Sequence, residues 1–150
     1  MIEFDKIWVE KYRPTKLDDV ILDEASLRVV SQFEEEIPNL LFVGNPGTGK
    51  TTLARIIVND ILKCNYLYIN ASDESGIDTI RHNITNFAQT KSFDGKVKVI
   101  ILDEADGLTG QAQAALRNTM ESFAKYCRFI LTANYKHKII PALQSRCQSL

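Results

Sequence analysis

The chain has 150 residues, 45% hydrophobic and 25% charged, with a net charge of −1. This suits one globular domain with a substantial core, and it excludes a global basic field advertising nucleic acid, while leaving room for a local basic stripe. No apolar stretch reaches the length of a membrane span, and Cys64, Cys127, Cys147, His82 and His137 are too scattered for a zinc site.

In chain order, residues 1–20 read as an irregular arm anchored by Trp8, Tyr12 and Pro14. Glu3 and Asp5 near the start do not fit the basic region of a secretion signal, so the expected setting is a soluble intracellular one with reduced thiols. A helix is expected from about Glu24 to Glu35, with Leu27, Val30 and Phe33 near one face, and Pro38 closes it. Leu40 to Val43 is a short apolar strand.

The run Gly44-Asn45-Pro46-Gly47-Thr48-Gly49-Lys50-Thr51-Thr52 follows directly. Its glycines let the backbone turn tightly, so that successive N–H groups converge on phosphate oxygens. Lys50 would add a point charge at the β- and γ-phosphates, and Thr51 a hydroxyl for Mg²⁺. Leu53, Ile56, Ile57 and Ile61 then repeat at helical spacing, which would set a helix N-terminus beneath the phosphates. The expected ligand is ATP or GTP with Mg²⁺.

Tyr66 to Ile69 reads as a second strand, Asn70 to Gly76 as a polar loop, and Ile77, Ile80, Ile84, Phe87 and Ala88 as one face of an amphipathic helix. Val97 to Leu102 is nearly all apolar, as in a strand covered on both faces of a parallel sheet. It ends in Asp103-Glu104, where one carboxylate can hold the metal and the next can polarise a water. Thr109 is a candidate N-cap for a helix whose face is Ala112, Leu116, Thr119, Met120 and Phe123. Arg128 to Thr132 is the next strand, and Asn134 beyond it is placed to orient water or touch a γ-phosphate. Arg146 is a candidate for stabilising transition-state charge. The alternation of strand and helix predicts an α/β fold, a three-layer sandwich around a parallel sheet with its ligand at the carboxyl ends of the strands.

Taken together, these segments resemble the AAA+ type of P-loop NTPase, and more narrowly the small subunits of sliding-clamp loaders of the replication factor C family. The resemblance is carried by Trp8-Val9-Glu10-Lys11-Tyr12-Arg13-Pro14, Gly44 to Thr51, Asn70-Ala71-Ser72-Asp73-Glu74, Ile100 to Asp106 and Lys138 to Cys147. It implies that Val9, Tyr12, Arg13 and Pro14 lie near an adenine, that Asn134 is a sensor of the γ-phosphate, and that Arg146 reaches the ATP of a neighbouring subunit. It further implies a five-membered ring of clamp-loader subunits that grips a sliding clamp and primer–template DNA. DNA would be met around Ile77, Thr79, Arg81, Thr109 and Gln111, by backbone N–H groups and basic side chains without sequence readout. The setting would be the cytoplasm of a prokaryote or virus-infected cell, or a eukaryotic nucleus.

Two departures remove positive charge: Ser75-Gly76 stands where many relatives have Arg-Gly, and Arg117-Asn118 where they have a double Arg. The expected domain is an ATPase core over residues 1–150, without the family's helical lid and collar, cut near the start of a fifth strand from Arg146. Such a cut would leave the Leu40 to Val43 strand with an open edge. Three other readings are a different AAA+ motor such as a helicase loader or branch-migration motor, a subunit that binds nucleotide without hydrolysing it, and a small-molecule P-loop kinase. The last needs an acceptor pocket and lid for which no segment is long enough.

Overall fold

A computed structural model of the chain describes residues 38–45, 47, 49–73, 76–90 and 97–149. The expected arm with Val9, Tyr12, Arg13 and Pro14, the expected helix from Glu24 to Glu35, and Pro46, Thr48, Glu74 and Ser75 lie outside the described residues.

Five strands form one sheet: β1 (Leu40–Val43), β2 (Tyr66–Asn70), β3 (Lys98–Asp103), β4 (Cys127–Ala133) and β5 (Gln148–Ser149). Their spatial order is β2-β3-β4-β1-β5, and every pairing is parallel. Parallel neighbours need crossovers, and these are supplied by helices α1 (Lys50–Ile56), α2 (Gly76–Gln89), α3 (Gly110–Ser122) and α4 (Pro141–Gln144). β3 is buried along its whole length, as its apolar run predicts for a strand covered on both faces.

The core divides on the two faces of the sheet. Leu40, Phe42, Val99, Ile101 and Ile130 point to one face and pack against Leu53, Ala54, Ile57, Val58 and Leu62. Leu41, Ile100, Leu102, Phe129 and Leu131 point to the other and pack against Ile80, Ile84, Leu116, Met120 and Leu143. Side chains of a strand alternate faces, so one sheet between two helical layers uses both sets. The expected three-layer α/β sandwich is the observed one.

Two expectations change in detail. The helix predicted through Ile61 is α-helical only to Ile56; Ile57–Ile61 is a π turn, with the Leu62 N–H donating to the Ile57 carbonyl at 2.8 Å. Ile57, Val58 and Leu62 are all buried against the sheet through this wider turn. The edge of β1 is also less open than expected, because Gln148 pairs with Leu40 and Ser149 with Leu41.

Three polar side chains inside the fold tie elements together. Gln113 of α3, 1% exposed, donates to the carbonyls of Leu108 and Lys138 and accepts from the Ile140 N–H at 2.8 Å. Lys98, 4% exposed, donates to the Phe87 and Thr90 carbonyls at the end of α2, a cation at the negative end of a helix. Asn39 accepts from the Phe129 N–H at 2.9 Å while its carbonyl accepts from the Gln148 N–H at 2.8 Å.

Candidate nucleotide and metal site

Sheet register brings the site together. Val43 lies opposite Ala133, so Gly44 and Asn134 leave the sheet side by side, and the Gly44 N–H donates to the Ala133 carbonyl at 3.2 Å. Leu102 lies opposite Leu131, which puts Asp103 and Thr132 next to each other one step on. Asn70 is itself opposite Asp103, so it belongs to β2 as well as to the polar loop read from sequence. Residues distant in sequence therefore meet at the carboxyl ends of β1, β3 and β4.

The glycine-rich loop has the backbone that its composition demands. Gly47 and Gly49 adopt φ of 85° and 89°, a region that side chains with a Cβ disfavour. Gly49 is the N-cap of α1, and its carbonyl accepts the first helical bond from the Leu53 N–H at 2.8 Å.

Lys50 has its three ammonium hydrogens on protein oxygens: the carbonyls of Gly44 at 2.7 Å and Asn45 at 3.0 Å, and Asn134 Oδ1 at 3.0 Å. Burial pulls its pKa down, and the charges of Asp103, Asp106 and Glu104 offset only part of that. A phosphate entering this loop would take over those hydrogen bonds and set an anion in direct contact with the ammonium.

Asp103 is 8% exposed and surrounded by hydroxyls. Thr51 donates to Oδ1 at 2.8 Å, Thr132 also donates to Oδ1, and Tyr68 donates to Oδ2 at 2.7 Å. Burial alone would raise its pKa, but the hydroxyls of Thr132, Tyr68 and Thr51 with the charge of Lys50 outweigh it and hold the carboxyl below its ordinary value. Burial and the bond to Asp103 push the Tyr68 phenol up to about 12, so it is a donor at neutral pH.

Thr51 and Asp103 are hard oxygen donors in contact, and among the described residues no group of three or more His, Cys, Asp or Glu side chains forms a self-sufficient metal cage. That donor set fits Mg²⁺, which is commonly held by one or two carboxylates together with substrate phosphates.

Glu104 projects from the strand end in the left-handed region, φ 57° and ψ 47°, with its side chain exposed. Its N–H donates to Thr132 Oγ1 at 2.9 Å. The Ser72 hydroxyl lies 2.6 Å from Glu104 Oε2 and 2.7 Å from Asn70 Oδ1, and donates to one of these acceptors. Gly107 permits the approach, since a Cβ there would lie 2.8 Å from the Ser72 Cβ.

Sequence reasoning missed four of these participants. Tyr68 and Thr132 looked like ordinary strand residues, and Ser72 was noted only within the Asn70 to Glu74 segment. Asp106, whose Oδ2 accepts from both the Asn134 and Tyr135 N–H groups at 3.0 Å, was noted only as the end of a motif. The available signal was alternation: Thr132 and Asn134 are two apart on β4 and its extension, and Tyr68 and Asn70 two apart on β2.

Arg146 is not joined to this cluster. It follows α4, is half exposed, and its guanidinium pairs with Glu121 of α3, which also pairs with Arg117 at 3.3 Å. Of the residues expected near DNA, Thr79 and Gln111 are exposed in the first turns of α2 and α3, and Arg81 is exposed in the second turn of α2. Ile77 packs against the core, and Thr109 caps α3 by accepting from the Ala112 N–H at 3.1 Å.

Comparisons with known proteins bear on the family and the fold. Residues 40–150 match the family model described as the ATPase family associated with various cellular activities. The chain is 50% identical over 150 residues to the replication factor C small subunit of Methanocella arvoryzae, covering 95% of this chain and 47% of that protein. It is 52% identical over 149 residues to the protein of the same name from Archaeoglobus fulgidus, with the same coverage. The chain thus spans about half the length of these curated relatives. Among solved structures, the Thermotoga maritima RuvB Holliday junction branch migration motor is similar with a TM-score of 0.69 at 24% identity, over 91% of this chain and 47% of that one. Caenorhabditis elegans PCH-2 is similar with a TM-score of 0.56 at 23% identity, over 73% of this chain and 33% of that one. At those identities the structural likeness concerns the fold alone.

Proposed function

The chain belongs to the ATPase family associated with various cellular activities, and we propose that it is the ATP-binding and ATP-hydrolysing part of a sliding-clamp loader subunit. The observation that carries the reading is the convergence of Lys50, Thr51, Asp103 and Asn134 on one end of the sheet. Identity near one half to replication factor C small subunits, over 95% of the chain, favours clamp loading over the other motors of this fold.

In this reading the loop N–H groups from Gly44 to Thr52 and the Lys50 ammonium hold the β- and γ-phosphates. A bound Mg²⁺, held by Thr51 and Asp103, would neutralise charge developing on the phosphate oxygens. Glu104 polarises the attacking water, and Asn134, fixed through Asp106, orients the γ-phosphate end. Val9, Tyr12, Arg13 and Pro14 are assigned to the adenine. Arg146 serves a neighbouring subunit's ATP, a role favoured by its separation from Lys50 in its own chain. Primer–template phosphates meet the first turns of α2 and α3, and a sliding clamp and further loader subunits, in a five-membered ring, complete the assembly. The relatives matched are archaeal proteins, which favours a cytoplasmic over a nuclear setting.

That Lys50, Asp103, Glu104 and Asn134 are all present and adjacent favours hydrolysis over a purely structural role. The test is ATP turnover by the chain alone and with a sliding clamp and primer–template DNA. Slow turnover that rises with both, and falls by about 10²-fold or more in Glu104→Gln while ATP binding persists, is the expected result. Turnover indifferent to clamp and DNA would sink the clamp-loader assignment.

A further inference from the structure

Tyr68 lies outside every motif that the sequence offers, yet its phenol touches the one buried carboxylate of the site. The two oxygens of Asp103 are held differently: Oδ1 accepts from Thr51 and Thr132, whereas Oδ2 has the Tyr68 hydroxyl as its sole hydrogen-bond donor among the described residues. Tyr68 is in turn fixed from behind. The Arg55 guanidinium stacks over its ring at 5.0 Å from the centroid, and the Arg55 Nε is buried with no hydrogen-bond partner among the described residues. A guanidinium so placed, one turn along α1 from Thr51, acts through the ring on the rotamer of Tyr68.

We propose that Tyr68 is a positioning residue for Asp103 that sets the choice of divalent cation at this site, favouring Mg²⁺ over Ca²⁺. The inference rests on the nucleotide-site reading above. Its chemistry is that of carboxylate freedom. Mg²⁺ demands a small, near-ideal octahedron, whereas Ca²⁺ accepts more ligands, longer distances and carboxylates that bind through both oxygens. A phenol on Oδ2 opposes rotation of the carboxylate and competes for its second oxygen, so Asp103 presents one oxygen in one direction. Without the phenol the carboxylate can turn and offer both, which costs Mg²⁺ its fixed geometry and costs Ca²⁺ little.

The experiment titrates MgCl₂ and, separately, CaCl₂ into the full chain with a fluorescent ATP analogue, reading nucleotide binding rather than turnover. Tyr68→Phe keeps the ring under Arg55 and removes only the hydroxyl; Arg55→Met keeps the phenol and removes the stack. Loss of a partner to a metal-ligating carboxylate weakens metal affinity by about 10- to 100-fold. The expected result is therefore a Mg²⁺ midpoint raised about tenfold in Tyr68→Phe, with the Ca²⁺ midpoint moved by less than about threefold, and a smaller shift in the same sense in Arg55→Met. Equal shifts for both cations, or no shift in Tyr68→Phe at an unchanged melting temperature, would overturn the inference and leave the nucleotide site standing. Binding by the wild-type chain that ignores both cations would overturn the nucleotide-site reading, and this inference with it.

Discussion

Asn134 Oδ1 accepts a hydrogen bond from Lys50 Nζ at 3.0 Å across 84 residues of chain. The bond exists because Val43 and Ala133 are in register, so the loop leaving β1 and the residue leaving β4 start from adjacent points. Asn134→Ala should leave nucleotide affinity within about threefold, since Lys50 and the loop N–H groups that would meet the phosphates are unchanged, but lower turnover by about 10²-fold. Equilibrium binding beside single-turnover hydrolysis separates the two effects, and equal losses in both would contradict the assignment.

Asp106 is the anchor of that asparagine. Its carboxylate accepts two backbone N–H groups, those of Asn134 and Tyr135. Asp106→Ala strands both, and because Tyr135 is exposed, water recovers part of the loss. The expected destabilisation is about 1–2 kcal/mol by urea denaturation, with Asp106→Asn, which keeps a carbonyl acceptor, recovering about half. An Asn variant no better than Ala would mean that the two N–H bonds are not what the side chain contributes.

The lowered pKa of Asp103 makes a statement about acid stability. Burial raises it, the three hydroxyls and Lys50 more than offset that, and the folded value ends below the unfolded one. A depressed carboxyl contributes stability that is present above the unfolded pKa of about 3.9 and is lost as pH falls through the folded value. Unfolding free energy should therefore lose this component only below about pH 4. Asp103→Asn should lack that component, and a variant whose stability falls with acid as steeply as the wild type would count against the shift.

Buried Lys98 offers a test away from the site. Its ammonium satisfies the Phe87 and Thr90 carbonyls at the end of α2 and lies 4.9 Å from the Phe87 ring centroid. Lys98→Met keeps the stem and removes the charge, leaving these acceptors without a donor. A loss of about 2–3 kcal/mol is expected, with hydrogen exchange accelerated first in the last turn of α2. Uniform acceleration across the sheet would place the effect elsewhere.

Local pattern was enough to find most of the fold. The apolar run of β3 and the spacing of Ile80, Ile84, Leu116 and Met120 gave elements whose burial matches, because amphipathic period is a local property. Lys50, Thr51, Asp103 and Asn134 were legible because loop chemistry and strand ends mark them. Tyr68, Thr132 and Asp106 were not, since their partners are chosen by strand order and register, which no single segment encodes. The π turn at Ile57–Ile61 escaped for a related reason: only packing against the sheet decides between a 3.6-residue period and a wider turn. The role of Lys98 is hidden in the same way, because the carbonyls it satisfies lie at the end of α2 and not in its own strand.

A loop from Gly44 to Thr52 that holds a triphosphate through Lys50, with Thr51 and Asp103 on the metal, makes binding depend on both the lysine and Mg²⁺. Calorimetric titration of ATP into the wild-type chain and into Lys50→Ala, each with and without Mg²⁺, measures that dependence. Saturable binding that Mg²⁺ tightens and that Lys50→Ala abolishes is the expected result. ATP bound equally well by both proteins, or with no response to Mg²⁺, would contradict it.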